Sequence, residues 1–165
     1  MKGSMPMDRS KSNDSKAFSA ALRMLTRRDR SETELRQKLK QFGFSLAAIN
    51  NAVKKCQEYN YLDDKRYASE RARSLMRTGR GVGRKILLDL RRRGISDELA
   101  QQAVIDAESE FSPADLLREQ LQRRFPDFNY TTADQRERRR VIGFFQRRGF
   151  SLGDIFDIIK DESYS

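Results

Sequence analysis

The sequence predicts an all-α chain of three tandem three-helix repeats, forming an elongated array that can curve. Three observations lead there. A heptapeptide recurs without gaps as LKQFGFS at 39–45, LRRRGIS at 90–96 and FQRRGFS at 145–151, placing Gly43, Gly94 and Gly149 at intervals of 51 and 55 residues. Eight and four residues before each glycine stand apolar residues, Leu35 and Leu39, Ile86 and Leu90, Val141 and Phe145, the spacing of one helical face. No strand-like alternation competes with that periodicity.

Within each repeat the elements follow in order. A first helix is expected at 17–27 with Phe18, Leu22 and Leu25 inward, at 64–76 with Tyr67, Ala72 and Leu75, and at 113–124 with Leu117 and Leu121. The second helix carries the i, i+4 pairs and stops at the glycine, which takes up a positive φ without a Cβ penalty. Lys40, Arg91, Arg92, Arg93, Arg147 and Arg148 then suit the negative end of the helix dipole. Ser45, Ser96 and Ser151 cap the third helix, with inward faces Leu46, Ile49 and Val53; Leu99, Ala103 and Val104; Leu152, Ile155 and Ile159. Capping boxes are read at Ser31-x-x-Glu34, at Ser112-x-x-Asp115 with Pro113 at N1, and at Thr132-x-x-Gln135. The expected organisation is a disordered tail at 1–15 and repeats at 16–60, 61–110 and 111–162. A unit of about 50 residues buries too little to be comfortably stable alone, so neighbours should pack end to end.

Composition narrows the chemistry. The 165 residues include no His and one Cys, which leaves no imidazole base, no His or Cys zinc cluster and no disulfide framework. No apolar run reaches the roughly 20 residues of a membrane span, and the N-terminus carries no signal-like hydrophobic segment. A soluble monomer in the reducing cytoplasm, without metal or cofactor, is expected. Hydrophobic content is 37% against 35% charged, and the net charge is +10. That charge is banded: residues 65–93 hold eleven bases against Glu70 and Asp89, residues 94–110 hold five acids and no base, and residues 136–148 hold six Arg against Glu137.

The stretch Tyr61-Leu62-Asp63-Asp64-Lys65-Arg66-Tyr67-Ala68, a glycine-rich turn, Ile86, and Asp89-Leu90-Arg91-Arg92-Arg93-Gly94-Ile95 resembles the central signature of the RecX family, regulators of the RecA recombinase. The first repeat resembles that family through Arg30-Ser31-Glu32-Thr33-Glu34-Leu35 and Lys38-Leu39, and the likeness extends over 16–162. It implies a helical protein that lodges in the groove of the RecA filament on single-stranded DNA. There it would oppose filament extension, ATP hydrolysis, strand exchange and co-protease activity, with no catalysis of its own. The chain departs from the pattern at Gly79-Arg80-Gly81-Val82-Gly83, where the family usually places proline after its Gly-x-Gly turn.

The candidate contact residues are basic. Arg71, Arg73 and Arg77 precede the turn, Arg80, Arg84 and Lys85 flank it, and Arg91, Arg92 and Arg93 close the next helix; together they can form a ridge facing either phosphates or an acidic protein surface. Arg138, Arg139, Arg140, Arg147 and Arg148 repeat that geometry in the third unit. The bland reading of each is a solvated face or a dipole partner. The GRGVGRK turn fails the Walker pattern and reads as an inter-helix turn or a phosphate contact. A cap and a first-turn acid explain Asp63 and Asp64. Cys56, Tyr59, Tyr61, Leu62, Phe42, Phe44, Phe144 and Phe150 are expected in packing, and alanine at Arg91, Arg92 and Arg93 should leave the fold intact. The competing reading is an independent nucleic-acid binder, since three-helix units can be homeodomain-like and place a helix in a groove.

Overall fold

The computed structural model describes residues 9–161. Among them the chain forms nine helices and no strand: α1 Arg9–Arg27, α2 Glu32–Gln41, α3 Leu46–Glu58, α4 Asp64–Arg77, α5 Gly83–Arg92, α6 Asp97–Glu110, α7 Pro113–Arg124, α8 Gln135–Arg147 and α9 Leu152–Asp161. None of these is long and apolar enough to cross a membrane. Of the expected tail, residues 1–8 lie outside the described residues and 9–15 belong to α1.

The local signals act as their chemistry dictates. Gly43, Gly94 and Gly149 end their helices at φ of 87°, 80° and 97°. The hydroxyls of Ser31, Ser45, Ser96, Ser112 and Ser151 accept from the N–H groups of Glu34, Ala48, Leu99, Asp115 and Asp154, three residues on. At α8 the cap is Asp134, accepting from Glu137 at 2.8 Å, and not Thr132 as expected. Thr132 instead lies in the preceding turn, its hydroxyl 3.5 Å from the Asn129 carbonyl.

The chain divides into two compact units, one formed by Met1–Tyr67 with Arg93–Ile95, the other by Ala68–Arg92 with Ser96–Ser165. In the first, Leu35, Leu39, Ile49, Val53 and Cys56 are buried as read from periodicity, together with Leu62. The inward stripe of α1 differs from the expectation: Ala17, Ala20, Ala21 and Met24 are buried, while Phe18 and Leu25 pack at the edge. Small residues let α1 approach its neighbour closely, and the bulkier ones fit only beside the core. Asp63 caps α4 by accepting from Arg66, but Asp64 serves another helix, accepting at 2.8 Å from the Glu32 N–H at the start of α2.

In the second unit Ile86, Leu90, Val104, Leu117, Leu121, Val141, Phe145, Ile155 and Ile159 are buried. Phe145 sits in a chain of edge-on rings, 5.1 Å from Phe144, 6.2 Å from Phe125 and 5.6 Å from Phe150. Several residues expected inside are exposed: Leu46 and Leu152 at the first positions of their helices, where the neighbouring helix no longer covers them, and Phe42, Tyr59 and Tyr61 at helix ends.

Candidate polyanion-binding interface

Folding brings the acidic band of the second repeat onto the basic one. Arg71 grips Asp89 with two parallel bonds of 2.9 and 3.0 Å, joining α4 to α5. Arg73 reaches Glu110 at 2.9 Å and Glu70 at 3.7 Å, and Arg91 meets Asp97 at 2.7 Å. Arg93 belongs to the first unit, where its guanidinium lies 2.9 Å from Glu34 and 3.0 Å from the Tyr67 hydroxyl. Its carbonyl accepts from the buried Ser31 hydroxyl. The side chain of Arg93 is therefore tied into the fold, which weighs against the expectation that alanine at all three arginines leaves the fold intact.

Arg77, Arg80, Arg84, Lys85 and Arg92 are exposed and make no ion pair to a described residue. Arg77 and Arg92 close α4 and α5, where the helix dipole favours a cation. Arg84 and Lys85 do the opposite. They stand in the first turn of α5, which has no acid, where the positive end of the dipole disfavours them. Fold stability thus accounts for Arg77 and Arg92 but not for Arg84, Lys85 and their neighbour Arg80.

The glycine-rich turn satisfies most of its own backbone N–H groups. The N–H groups of Gly79, Arg80 and Gly81 bond to the carbonyls of Met76 and Leu75, and that of Lys85 to Val82. Val82, which follows Gly79-Arg80-Gly81, is buried and donates to the Arg148 carbonyl at 2.8 Å, a bond that proline here would lack. Gln120 closes the turn from the other side, its amide donating 3.0 Å to the Gly79 carbonyl. The turn is a packing element with cations on its flanks, and the N–H groups of Gly83 and Arg84 open α5 beside it.

In the third repeat three of the expected arginines lie over rings. Arg138 is 4.3 Å from the Tyr130 centroid and donates to the Tyr130 carbonyl at 2.9 Å, Arg140 is 5.5 Å from Phe125, and Arg148 is 3.9 Å from Phe144. Arg139 and Arg147 are exposed without an ion pair to a described residue. The reading from sequence missed Arg123 and Arg124, which end α7. Arg124 stands 5.7 Å from the same Phe144 ring. Burial lowers the Arg148 pKa, and Arg124, Arg147 and Arg123 lower it further, with no carboxylate opposing them. Its Nε is buried without a partner. Two guanidinium groups, those of Arg124 and Arg148, thus share the Phe144 ring, and Arg123 and Arg147 add positive charge around Arg148. A signal existed in the doubled arginines at the ends of α7 and α8, but their juxtaposition is tertiary.

Three family models match consecutive stretches of the chain: the first three-helix domain of RecX at 17–56, the second at 63–104 and the third at 114–159. The chain is 46% identical over 146 residues to the regulatory protein RecX of Syntrophotalea carbinolica, covering 88% of this chain and 95% of that protein. With the regulatory protein RecX of Trichlorobacter lovleyi it shares 36% over 136 residues, 82% of this chain and 88% of that one. The crystal structure of RecX from Lactobacillus salivarius superposes with a TM-score of 0.78 at 25% identity, over 94% of this chain and 99% of that one.

Proposed function

The chain belongs to the RecX family, and from that premise we propose that it regulates RecA by binding the recombinase filament on single-stranded DNA and restraining its ATPase, strand-exchange and co-protease activities. It acts in the cytoplasm, as a monomer and without chemistry of its own, and through RecA it modulates recombination, repair and the SOS response. Its three repeats span 16–60, 61–110 and 111–162.

The observation that carries this reading beyond family membership is the distribution of uncompensated cations. Arg84 and Lys85 stand where the dipole of α5 disfavours them, with Arg80 beside them in the preceding turn, and Arg123, Arg124 and Arg147 surround Arg148 without an acid. Positive charge held against the preference of the fold is charge held for a partner. A filament supplies such a partner twice, as DNA phosphate and as protein carboxylate. Bonds to ring faces hold Arg138, Arg140 and Arg148 in place, which reduces the rotamer entropy lost on contact.

The test is the ATPase of RecA on single-stranded DNA with the protein added below and then at one copy per protomer. Inhibition at substoichiometric amounts that persists in excess DNA supports action on the filament. Inhibition abolished by excess DNA, or none at all, refutes it and favours independent binding of nucleic acid.

A further inference from the structure

A second basic site lies in the first unit, apart from the residues considered above. Between α1 and α2 is a cavity of about 300 Å³ lined by Arg23, Arg27, Arg30 and Lys38, with Ala20, Met24 and Phe42 as its apolar members. None of its lining residues is acidic. Of the carboxylates nearby, Glu34 is already engaged by Arg28 at 3.2 Å and Arg93 at 2.9 Å, and Asp29, which accepts from the Arg30 N–H at 3.2 Å, lines a different cavity. Arg30 has a buried Nε with no hydrogen-bond partner. Burial and the charge of Arg28 both disfavour its protonated form, against a smaller opposing effect of Glu34.

Phe42 adds a different chemistry. It holds the place in the repeated heptapeptide that Arg93 and Arg148 hold in the others, yet it is 64% exposed whereas both of those are half-buried. Leaving a phenyl ring in water forgoes its burial energy. A ring at the rim of a cationic cavity matches one ligand class, in which a flat apolar face is linked to a phosphate. A carboxylate peptide would use the cations and leave the ring idle.

We propose that this cavity is a nucleotide site for single-stranded nucleic acid, in which Arg23, Arg27, Arg30 and Lys38 take a backbone phosphodiester and the ring of Phe42 stacks on the adjoining base. The inference concerns the chain's own contact with nucleic acid and stands apart from the filament reading, because its test contains no recombinase.

The chain has no Trp, so Phe42→Trp introduces a single fluorophore at the rim. Titration with a thymidine oligonucleotide of about 20 nucleotides, longer than the site of a typical single-strand binding fold, should quench that fluorescence as the base stacks. Adding Arg27→Ala and Lys38→Ala, both at exposed positions, should raise the quenching midpoint about tenfold or more with the circular dichroism unchanged. The slope of log K against log[salt] should fall by roughly 1.4, two contacts at about 0.7 each. Phe42→Ala in the natural chain should weaken oligonucleotide binding measured by anisotropy. Polyglutamate should not quench. The proposal is overturned if anisotropy reports binding without quenching, if no binding occurs, if the double substitution leaves the midpoint in place, or if polyglutamate quenches equally, which would assign the cavity to an acidic protein.

Discussion

Gly43 and Gly149 occupy the same place in the repeat and have nearly the same backbone, with φ of 87° and 97°, yet alanine should affect them very differently. A Cβ at Gly43 would meet nothing within 4 Å. Gly43→Ala therefore costs only the left-handed strain, about 1–2 kcal/mol, reduced by the lower entropy of the unfolded chain. A Cβ at Gly149 would lie 2.0 Å from the Val82 carbonyl oxygen and 2.9 Å from the Lys85 nitrogen, both backbone atoms that no rotamer change can move. Reaching an ordinary contact of 3.4 Å requires a displacement of roughly 1.4 Å, the difference between the two distances. That displacement breaks the 2.8 Å bond from Val82 to the Arg148 carbonyl and leaves a buried N–H unpaired, a further loss of about 1–3 kcal/mol. Gly149→Ala should thus exceed Gly43→Ala by about 2 kcal/mol or more. Urea denaturation followed by far-UV circular dichroism measures both, with Gly43 reporting on the first unit and Gly149 on the second. Losses equal within about 0.5 kcal/mol would refute the argument that close approach, and not backbone conformation alone, requires glycine at 149.

Three other outcomes follow from the contacts. Arg93→Ala should destabilise the first unit by about 1–2 kcal/mol, discounted for partial exposure, whereas Arg92→Ala should stay within about 0.5 kcal/mol; equal melting temperatures for the two would contradict the role of the Glu34 pair. Leu90→Ala removes a fully buried side chain and should cost about 2–5 kcal/mol, read as a fall in the urea midpoint, and a loss below about 1 kcal/mol would mean that the site collapses freely. Burial raises the Asp64 pKa above 3.8, and Glu32, Asp63 and Asp29 add to that rise, while the Glu32 N–H opposes it. The native state then holds a proton that the unfolded chain has released, so this group's contribution to stability is lost as pH climbs through the raised value. Asp64→Asn retains the acceptor for Glu32, and its stability relative to the natural chain should increase as pH rises above 3.8, where the unfolded carboxyl ionises; a flat difference would remove Asp64 as the cause.

What could be read along the chain was whatever depends on neighbours a turn or two away. The three glycine stops, the serine caps and the i, i+4 apolar pairs are local devices, and they lie where the heptapeptide places them because each is satisfied within about four residues. One failure was a local competition, at α8, where the carboxylate of Asp134 caps the helix while Thr132 remains in the turn before it, whereas the inward stripe of α1 is set by the helix packed against it.

The fate of each charge was not local. Arg93 finds Glu34 across 59 residues, Arg71 finds Asp89 across 18, and Arg148 shares a ring with Arg124 from another helix. A run such as Arg91-Arg92-Arg93 reads uniformly in the sequence, but helical rotation turns each side chain toward different company: one pairs with Asp97, one stays in solvent and one is tied to Glu34. The sequence by itself determined that the protein is helical, threefold repeated and basic, because periodicity, capping and composition act through the chain's own neighbourhood. Which cations are compensated and which have no carboxylate beside them is a matter of tertiary contacts, because electrostatic pairing depends on distances of a few ångströms between segments that sequence separation does not encode.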